Sequence, residues 1–104
     1  MEVVIIKTLG GEEILAELNS IEANGDYNIS RPRVLMVSGQ NVGLVPYMIS
    51  VPDAKDIIMK SNSIVTSVPA PNEIANQYIK TVTNLILGWD KMTFVVYNVI
   101  ARKV

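Results

Sequence analysis

The chain has 104 residues, of which 49% are hydrophobic and 18% charged, and it carries a net charge of −1 at pH 7. This length fits one domain, predicted over residues 1–104, and the apolar fraction is ample for a core. The chain contains neither Cys nor His. Their absence excludes structural zinc sites, haem ligation by His, thiol catalysis, Ser-His-Asp triads and disulfides.

The β-branched residues indicate a mainly β fold. The chain has 14 Val and 13 Ile against 7 Leu, and β-branched side chains favour pleated sheet over helix. A first strand is predicted over residues 2–9, followed by a Gly10-Gly11 turn and a second strand over residues 12–22. The second strand alternates like a half-solvated antiparallel strand. Its predicted buried face carries Ile14, Ala16 and Leu18.

A third strand is predicted to begin after a tight turn. Residues 24–26, Asn-Gly-Asp, tolerate left-handed backbone conformations and separate the second strand from a third over residues 27–37. Pro32 has no N–H to donate to a ladder, so a bulge, an edge or a bend is predicted at this position.

The segment after the third strand is interrupted by proline. The segment over residues 42–56 contains Pro46 and Pro52 and is predicted to form either a bent strand or an inserted hairpin. Residues 57–60 and 63–68 predict a fourth strand that turns tightly into a fifth. The five strands together predict a barrel core over residues 1–68.

A change of pattern after the fifth strand predicts a helix and strand extension over residues 69–104. Asn72 is a residue type that caps helices, and apolar residues then follow helical spacing as far as Gly88, which ends the helix. The apolar positions are Ile74, Tyr78, Val82, Leu85 and Ile86. Trp89 is predicted to be a packing anchor, and residues 92–104 favour an extra strand.

Several classes of function are disfavoured. The longest apolar runs are four residues, against roughly 20 for a membrane span, so a soluble protein is expected. No signal-peptide pattern follows Met1. The isoelectric point near 5.3 argues against DNA binding. The carboxylates form no recognisable catalytic pair, so no enzymatic activity, cofactor or metal is expected, and an enzyme that uses scattered carboxylates is the least favoured alternative.

Two segments carry a more specific sequence pattern than the rest of the chain. Residues 11–35 begin with Gly11 at the opening of a strand and carry Asn-Gly-Asp-Tyr-Asn at residues 24–28, and residues 59–65 read Met-Lys-Ser-Asn-Ser-Ile-Val. Their order and spacing resemble the Sm-like (Lsm) family, whose motifs are a Gly, then Asp-x-x-Met-Asn at a turn, then Ile-Arg-Gly-x-x-Val. The resemblance covers residues 2–68 and extends to the small Sm-like proteins of marine bacteriophages.

The resemblance implies a fold and a set of partners. It implies a mainly β, strongly bent, five-stranded antiparallel open barrel, whose subunits join edge to edge into a homo-oligomeric ring. Loops before the third and fifth strands line the pore of such a ring and hold single-stranded, U-rich RNA. The expected partners are therefore other copies of the chain and single-stranded RNA, with no membrane and no DNA. A cytoplasmic location is expected, in a host cell if the protein is phage-encoded.

The same resemblance implies the RNA-binding positions. They are Asp26, Tyr27, Asn28, Lys60, Ser61 and Asn62. Asn28 matches the Asn that binds a base edge, and Lys60 stands where an Arg stacks or binds phosphate. A base-stacking side chain is expected at Asp26 or Tyr27, beside Asn28.

These residues also have structural interpretations. Asn28 after a turn commonly satisfies local backbone groups, Tyr27 packs a strand, and Lys60 is a solvated charge. A second hypothesis is an oligomeric assembly module of phage origin that does not bind RNA. It is favoured by the acidic isoelectric point, by the Asp26 carboxylate, which would repel an RNA backbone, and by Lys60-Ser61 in place of the family's Arg-Gly. Arg31 and Arg33 favour the first hypothesis if they share a face with Lys60, because a ring would then repeat a basic patch around its pore.

Overall fold

The computed structural model describes residues 1–83 as an antiparallel sheet with one helix. The strands are β1 (Glu2–Thr8), β2 (Glu13–Ile21), β3 (Tyr27–Ser38), β4 (Asn41–Pro46), β5 (Ile57–Met59) and β6 (Ile64–Pro69). A 3₁₀ turn over Ser61–Ser63 joins β5 to β6, and the helix α1 spans Asn72–Thr83.

The predicted fold class is confirmed in its main features. A mainly β antiparallel sheet is followed by a helix that begins at Asn72, as predicted. The predicted helix end at Gly88, the Trp89 anchor and the strand over residues 92–104 lie outside the described residues. The strand count differs, because the region predicted to hold five strands holds six. Only Asn41–Pro46 of the proline-containing segment is a strand.

The strand β3 organises the sheet, whose order is β4-β3-β2-β1-β6. The second half of β3 pairs with β4, where Arg33 lies opposite Pro46, and its first half pairs with β5, where Tyr27 lies opposite Met59. Because β2 occupies the other edge of β3, β4 and β5 follow one another along one edge. Residues 47–56, called the insertion below, separate them.

The sheet curls so strongly that strands far apart in its order meet. The hydroxyls of Tyr27 on β3 and Ser67 on β6 are 2.5 Å apart, although β2 and β1 lie between these two strands. Neighbouring strands are about 4.8 Å apart, so three steps across a flat sheet would separate β3 from β6 by about 14 Å. Among the described residues no ladder joins β6 to β5, so the curled sheet is open.

The inner face of the curl forms one of two cores. Its buried side chains are Val4, Ile6, Ile14, Ala16, Ile29 and Met59. Leu18 packs against this cluster, so the predicted buried face of the second strand is confirmed. Full burial of an aliphatic side chain contributes roughly 1.5–3 kcal/mol, which makes this inner core a main source of stability.

The outer face of the sheet is covered by α1. The buried residues on this side are Val3, Leu15, Val42, Leu44, Tyr78 and Val82. Leu15 lies on the face of the second strand that was predicted to be solvated, so the prediction is wrong at this position. The reason is that α1 packs on this face, and alternation within one strand does not show what will cover it.

The strand β3 is irregular where proline predicted a bulge, an edge or a bend. One residue of β2, Ala16, lies opposite two residues of β3, Arg31 and Pro32. Arg31 has a φ of +50°, a left-handed conformation that residues other than Gly seldom adopt. The irregularity predicted at Pro32 is therefore a bulge.

The hydroxyl of Tyr78 ties α1 to this bulge. It donates to the carbonyl oxygen of Arg31 at 2.7 Å and to that of Ser30 at 3.2 Å. Burial raises the pKa of the Tyr78 hydroxyl, so the group remains a donor. Helix and bulge consequently fix one another.

We expect Tyr78→Phe to lower the free energy of unfolding by about 1–2 kcal/mol, because two carbonyl oxygens lose a donor at a buried site. Urea denaturation measures the change. Tyr47→Phe is the matched control, since the Tyr47 side chain is exposed, and it should leave the free energy of unfolding unchanged. Equal losses in the two variants would contradict this role of Tyr78.

Candidate functional site

The two loops predicted to bind RNA meet at one end of the sheet. Asp26 lies in the turn before β3, and Ser61 opens the 3₁₀ turn before β6. The carboxylate of Asp26, a residue only 7% exposed, accepts a hydrogen bond from the Ser61 N–H at 2.7 Å. The loops are therefore tied directly, and the predicted positions are called the loop cluster. Its members are Asp26, Tyr27, Asn28, Lys60, Ser61 and Asn62.

The turn before β3 is shaped by its own side chains. Asn24 accepts the N–H of Asp26 on its Oδ1 at 3.0 Å and donates from its Nδ2 to the Asp26 carboxylate at 3.2 Å. Gly25 has a φ of +93°, which favours glycine. A Cβ at Gly25 would lie 3.4 Å from the Cβ of Ser61. The predicted turn is confirmed, and it packs closely on the second loop.

Asp26 is an ionised connector between the two loops. The N–H of Ser61 lowers the pKa of its carboxyl most strongly, and the Asn24 amide and the Lys60 ammonium lower it further, against the opposing effect of burial. The Lys60 Nζ lies 3.6 Å from the carboxylate. The Asp26 carboxylate therefore holds the two loops together, and the Lys60 ammonium offsets its negative charge.

Tyr27 belongs to the inner core. Its ring packs against the inner core cluster, and its hydroxyl contacts Ser67 on β6. These contacts favour the strand-packing interpretation of Tyr27. Its base-stacking role stays a prediction.

Asn28 is partly exposed and takes part in an amide network on the opposite face of β3. Its Oδ1 accepts from the Nδ2 of Asn19 at 2.9 Å, and the same Nδ2 donates to Ser30 at 2.8 Å. Within residues 1–83 the Nδ2 of Asn28 makes no hydrogen bond, so the donor half of this amide is open to a ligand. A donor of this kind matches the carbonyl oxygens of a uracil edge.

The second loop presents polar groups to solvent. The Lys60 side chain is 72% exposed, and Ser61 and Asn62 are exposed beside it. Ser63 donates its N–H and its hydroxyl to the carbonyl oxygen of Lys60 at 3.0 and 2.7 Å. These bonds fix the backbone that carries the lysine.

Two arginines considered for a basic patch are used inside the fold. Arg31 forms an ion pair with Glu17 at 2.6 Å, with both side chains mostly buried. The Arg33 side chain is 1% exposed and bonds to Asp53 at 2.8 Å. Each arginine is neutralised by a carboxylate within the fold. Neither therefore supplies a free positive charge beside Lys60.

The contact of Arg33 with the insertion was not anticipated from the sequence. Its guanidinium also donates to the carbonyl oxygen of Pro52 at 2.5 Å, so it holds the insertion against β3. The available signal was a cation within an apolar strand, followed twenty positions later by the turn residue Asp53. Sequence spacing alone does not connect these residues, because the contact depends on how the insertion folds.

No group of three or more Asp or Glu side chains within residues 1–83 is placed to hold a metal ion. In the same part of the chain, no helix has the length and apolar character that crossing a membrane requires. Comparison of the sequence with protein-family models gives no match, and comparison with curated proteins gives none either. The functional argument therefore rests on the residues and their geometry.

We expect Asp26→Asn to lower the free energy of unfolding at pH 7, because the variant keeps the shape of the side chain and loses its charge. The pKa of Asp26 is lowered from 3.8 by folding, so its contribution is present above that value and is lost as the pH falls through the folded pKa. The gap between wild type and variant should narrow as the pH falls below about 4. Urea denaturation at each pH measures the gap.

Asp56→Asn is the control, because it removes the same charge at an exposed residue. Its free energy of unfolding at pH 7 should match that of wild type. If Asp26→Asn is equally destabilised at pH 7 and pH 2, the charge of Asp26 is not what ties the loops.

Proposed function

We propose that the chain is a non-enzymatic, Sm-like subunit of a homo-oligomeric ring, and that the loop cluster binds single-stranded, U-rich RNA at the pore. The observation that carries the proposal is the character of the two outer edges of the described sheet. The outer edges of β4 and β6 end the described sheet without a partner strand. Unpaired backbone groups on such edges favour pairing with another chain.

The two edge strands lack the charged side chains that commonly protect a permanently free edge. The sequences of β4, NVGLVP, and β6, IVTSVP, contain no charged residue. Monomeric proteins commonly place Lys or other charges on such strands. Pairing of β4 with β6 of a neighbour joins different surfaces, and this kind of contact generates a ring when the rotation closes.

The order of the strands supports the Sm-like part of the proposal. If β4 and β5 are taken as two parts of one strand interrupted by the insertion, the sheet reduces to five strands in the order that begins with this strand and ends with β6. The curl and the short 3₁₀ turn agree with the strongly bent sheet that the resemblance implies.

The RNA part of the proposal is supported by the chemistry of the loop cluster. An exposed ammonium at Lys60 can bind a phosphate, and the free amide donor of Asn28 can bind a base edge. Ser61 and Asn62 add exposed hydrogen-bonding groups beside them. A ring repeats this set once per subunit, so weak contacts with successive nucleotides add through multivalency.

A ring without RNA is the second candidate, and a specific observation favours it. Lys60 faces the Asp26 carboxylate at 3.6 Å, while Arg31 and Arg33 are paired within the fold. The charges of Asp26 and Lys60 cancel, so the loop cluster of each subunit adds no net charge to the ring. Such a ring would serve as an assembly module, of phage origin if the resemblance to phage proteins holds.

We expect the native protein to be a defined oligomer by light scattering coupled to size exclusion. The double variant Val65→Lys/Val68→Lys should shift it toward monomer, because both side chains are exposed on the β6 edge and charged edge strands resist pairing. Ile21→Lys is the control, since this exposed residue lies on the central strand β2. A monomeric wild type, or an unaffected double variant, would overturn the ring.

We expect fluorescence anisotropy to show saturable binding of a labelled U-rich RNA that exceeds binding of an A-rich strand and weakens with salt. Lys60→Ala should weaken binding by about tenfold or more, because the ring loses one cation per subunit. Lys55→Ala, at another exposed lysine, is the control and should change binding little. Asn28→Ala should reduce the preference for U.

The outcomes separate the two candidates. Binding that depends on Lys60 and Asn28 supports the RNA-binding ring. An intact oligomer that binds neither RNA at low salt supports the assembly module and overturns the RNA part of the proposal.

A further inference from the structure

The insertion exposes apolar side chains although its backbone is firmly held. The exposed residues are Tyr47, Met48, Ile49 and Val51. Ile49 is 78% exposed, which is the highest value among the large apolar residues described. Residues 41–52 contain no charged residue. Exposed apolar groups in a contiguous stretch mark interaction sites more often than single exposed residues do.

Several hydrogen bonds fix the insertion to β3. The Tyr47 N–H donates to the carbonyl oxygen of Pro32 at 3.1 Å, and the Arg31 N–H donates to that of Ala54 at 2.8 Å. The buried Arg33 guanidinium holds its far end through Pro52 and Asp53. The apolar side chains are therefore presented on a fixed backbone.

We infer that residues 47–51 pack against a second copy of this chain and enlarge the contact made by the β4 edge. The inference rests on the proposed ring and names a further part of its interface. The insertion leaves the sheet directly after Pro46, the last residue of β4. A neighbouring strand that pairs with the free edge of β4 must consequently lie beside the insertion.

The size of the edges supports this assignment. The strand β4 has six residues, and at about 3.4 Å per residue and a sheet thickness of about 10 Å its edge offers roughly 200 Å². A stable interface buries about 800 Å² per partner. The edge of β4 alone falls well short, so a ring requires further contact surface, and the insertion adjoins the edge.

The chemistry of the opposite edge agrees with a second copy as the partner. The β6 strand exposes Val65 by 59% and Val68 by 50% and carries no charge. When it meets residues 47–51, which carry no charge, no charged group of either segment is buried without a partner. An acidic or basic partner would find no complementary charge on residues 41–52.

The first test is Ile49→Asp, with Ile21→Asp as the matched control on the central strand β2. Both residues are exposed, so neither change should disturb folding, and circular dichroism checks this. We expect sedimentation analysis to show that the oligomer of Ile49→Asp dissociates at a concentration at least about tenfold higher than that of wild type. The Ile21→Asp oligomer should match wild type.

The absence of Cys from the chain allows a second test that does not disrupt the interface. Single variants Ile49→Cys and Ile21→Cys are labelled with a maleimide at a concentration where wild type is assembled. We expect the thiol introduced at position 49 to react at least about fivefold more slowly than the thiol at position 21, because burial restricts access. Dilution to the monomer should remove this difference.

The outcomes distinguish this inference from the proposed ring. If wild type assembles and Val65→Lys/Val68→Lys dissociates it while Ile49→Asp does not, the ring stands and the inference is overturned. Equal labelling of the two thiols in the assembled protein also overturns it and leaves the insertion free for a different partner. A monomeric wild type overturns the ring and the inference together.

Discussion

The short connection between β5 and β6 is the constraint on which the described structure depends. β5 pairs with β3 and β6 pairs with β1, yet only the 3₁₀ turn over Ser61–Ser63 and Lys60 lie between them. The sheet must curl to satisfy this connection. The curl encloses the inner core, brings Tyr27 to Ser67, and sets Ser61 against Asp26. The core and the loop cluster thus have one physical origin.

Local chemistry made part of the fold predictable. The alternation of β2 indicated its inner face, and the Asn-Gly-Asp turn has the residue types that a left-handed Gly25 requires. The burial of Leu15 was not predictable, because it depends on where α1 packs. The left-handed conformation of Arg31 has no signature either, since an arginine adopts it here under tertiary contacts, including the bond from Tyr78.

The candidate site shows the same division. The order of the two motifs predicted that two loops distant in sequence share one site. The hydrogen bond from the Ser61 N–H to the Asp26 carboxylate joins these loops in the structure. The partner of Asp26 is a backbone N–H, which no side-chain pattern reveals. The sequence leaves open whether Arg33 shares a face with Lys60, because spacing does not show that its side chain is buried. In a ring, each Asp26 and Lys60 pair adds hydrogen-bonding groups without adding net charge.

The register of the sheet also sets an order of assembly for the chain itself. β1 pairs with β2 between residues as near as Lys7 and Glu13, whereas β1 pairs with β6 between residues as distant as Val4 and Pro69. Hairpins close short loops quickly, and a pairing across a long loop is slower. We therefore expect β6 to join the sheet after the hairpins have formed. Until then the edge of β1 that pairs with β6 is open. If β6 of another chain pairs with this edge first, the two chains form a domain-swapped assembly.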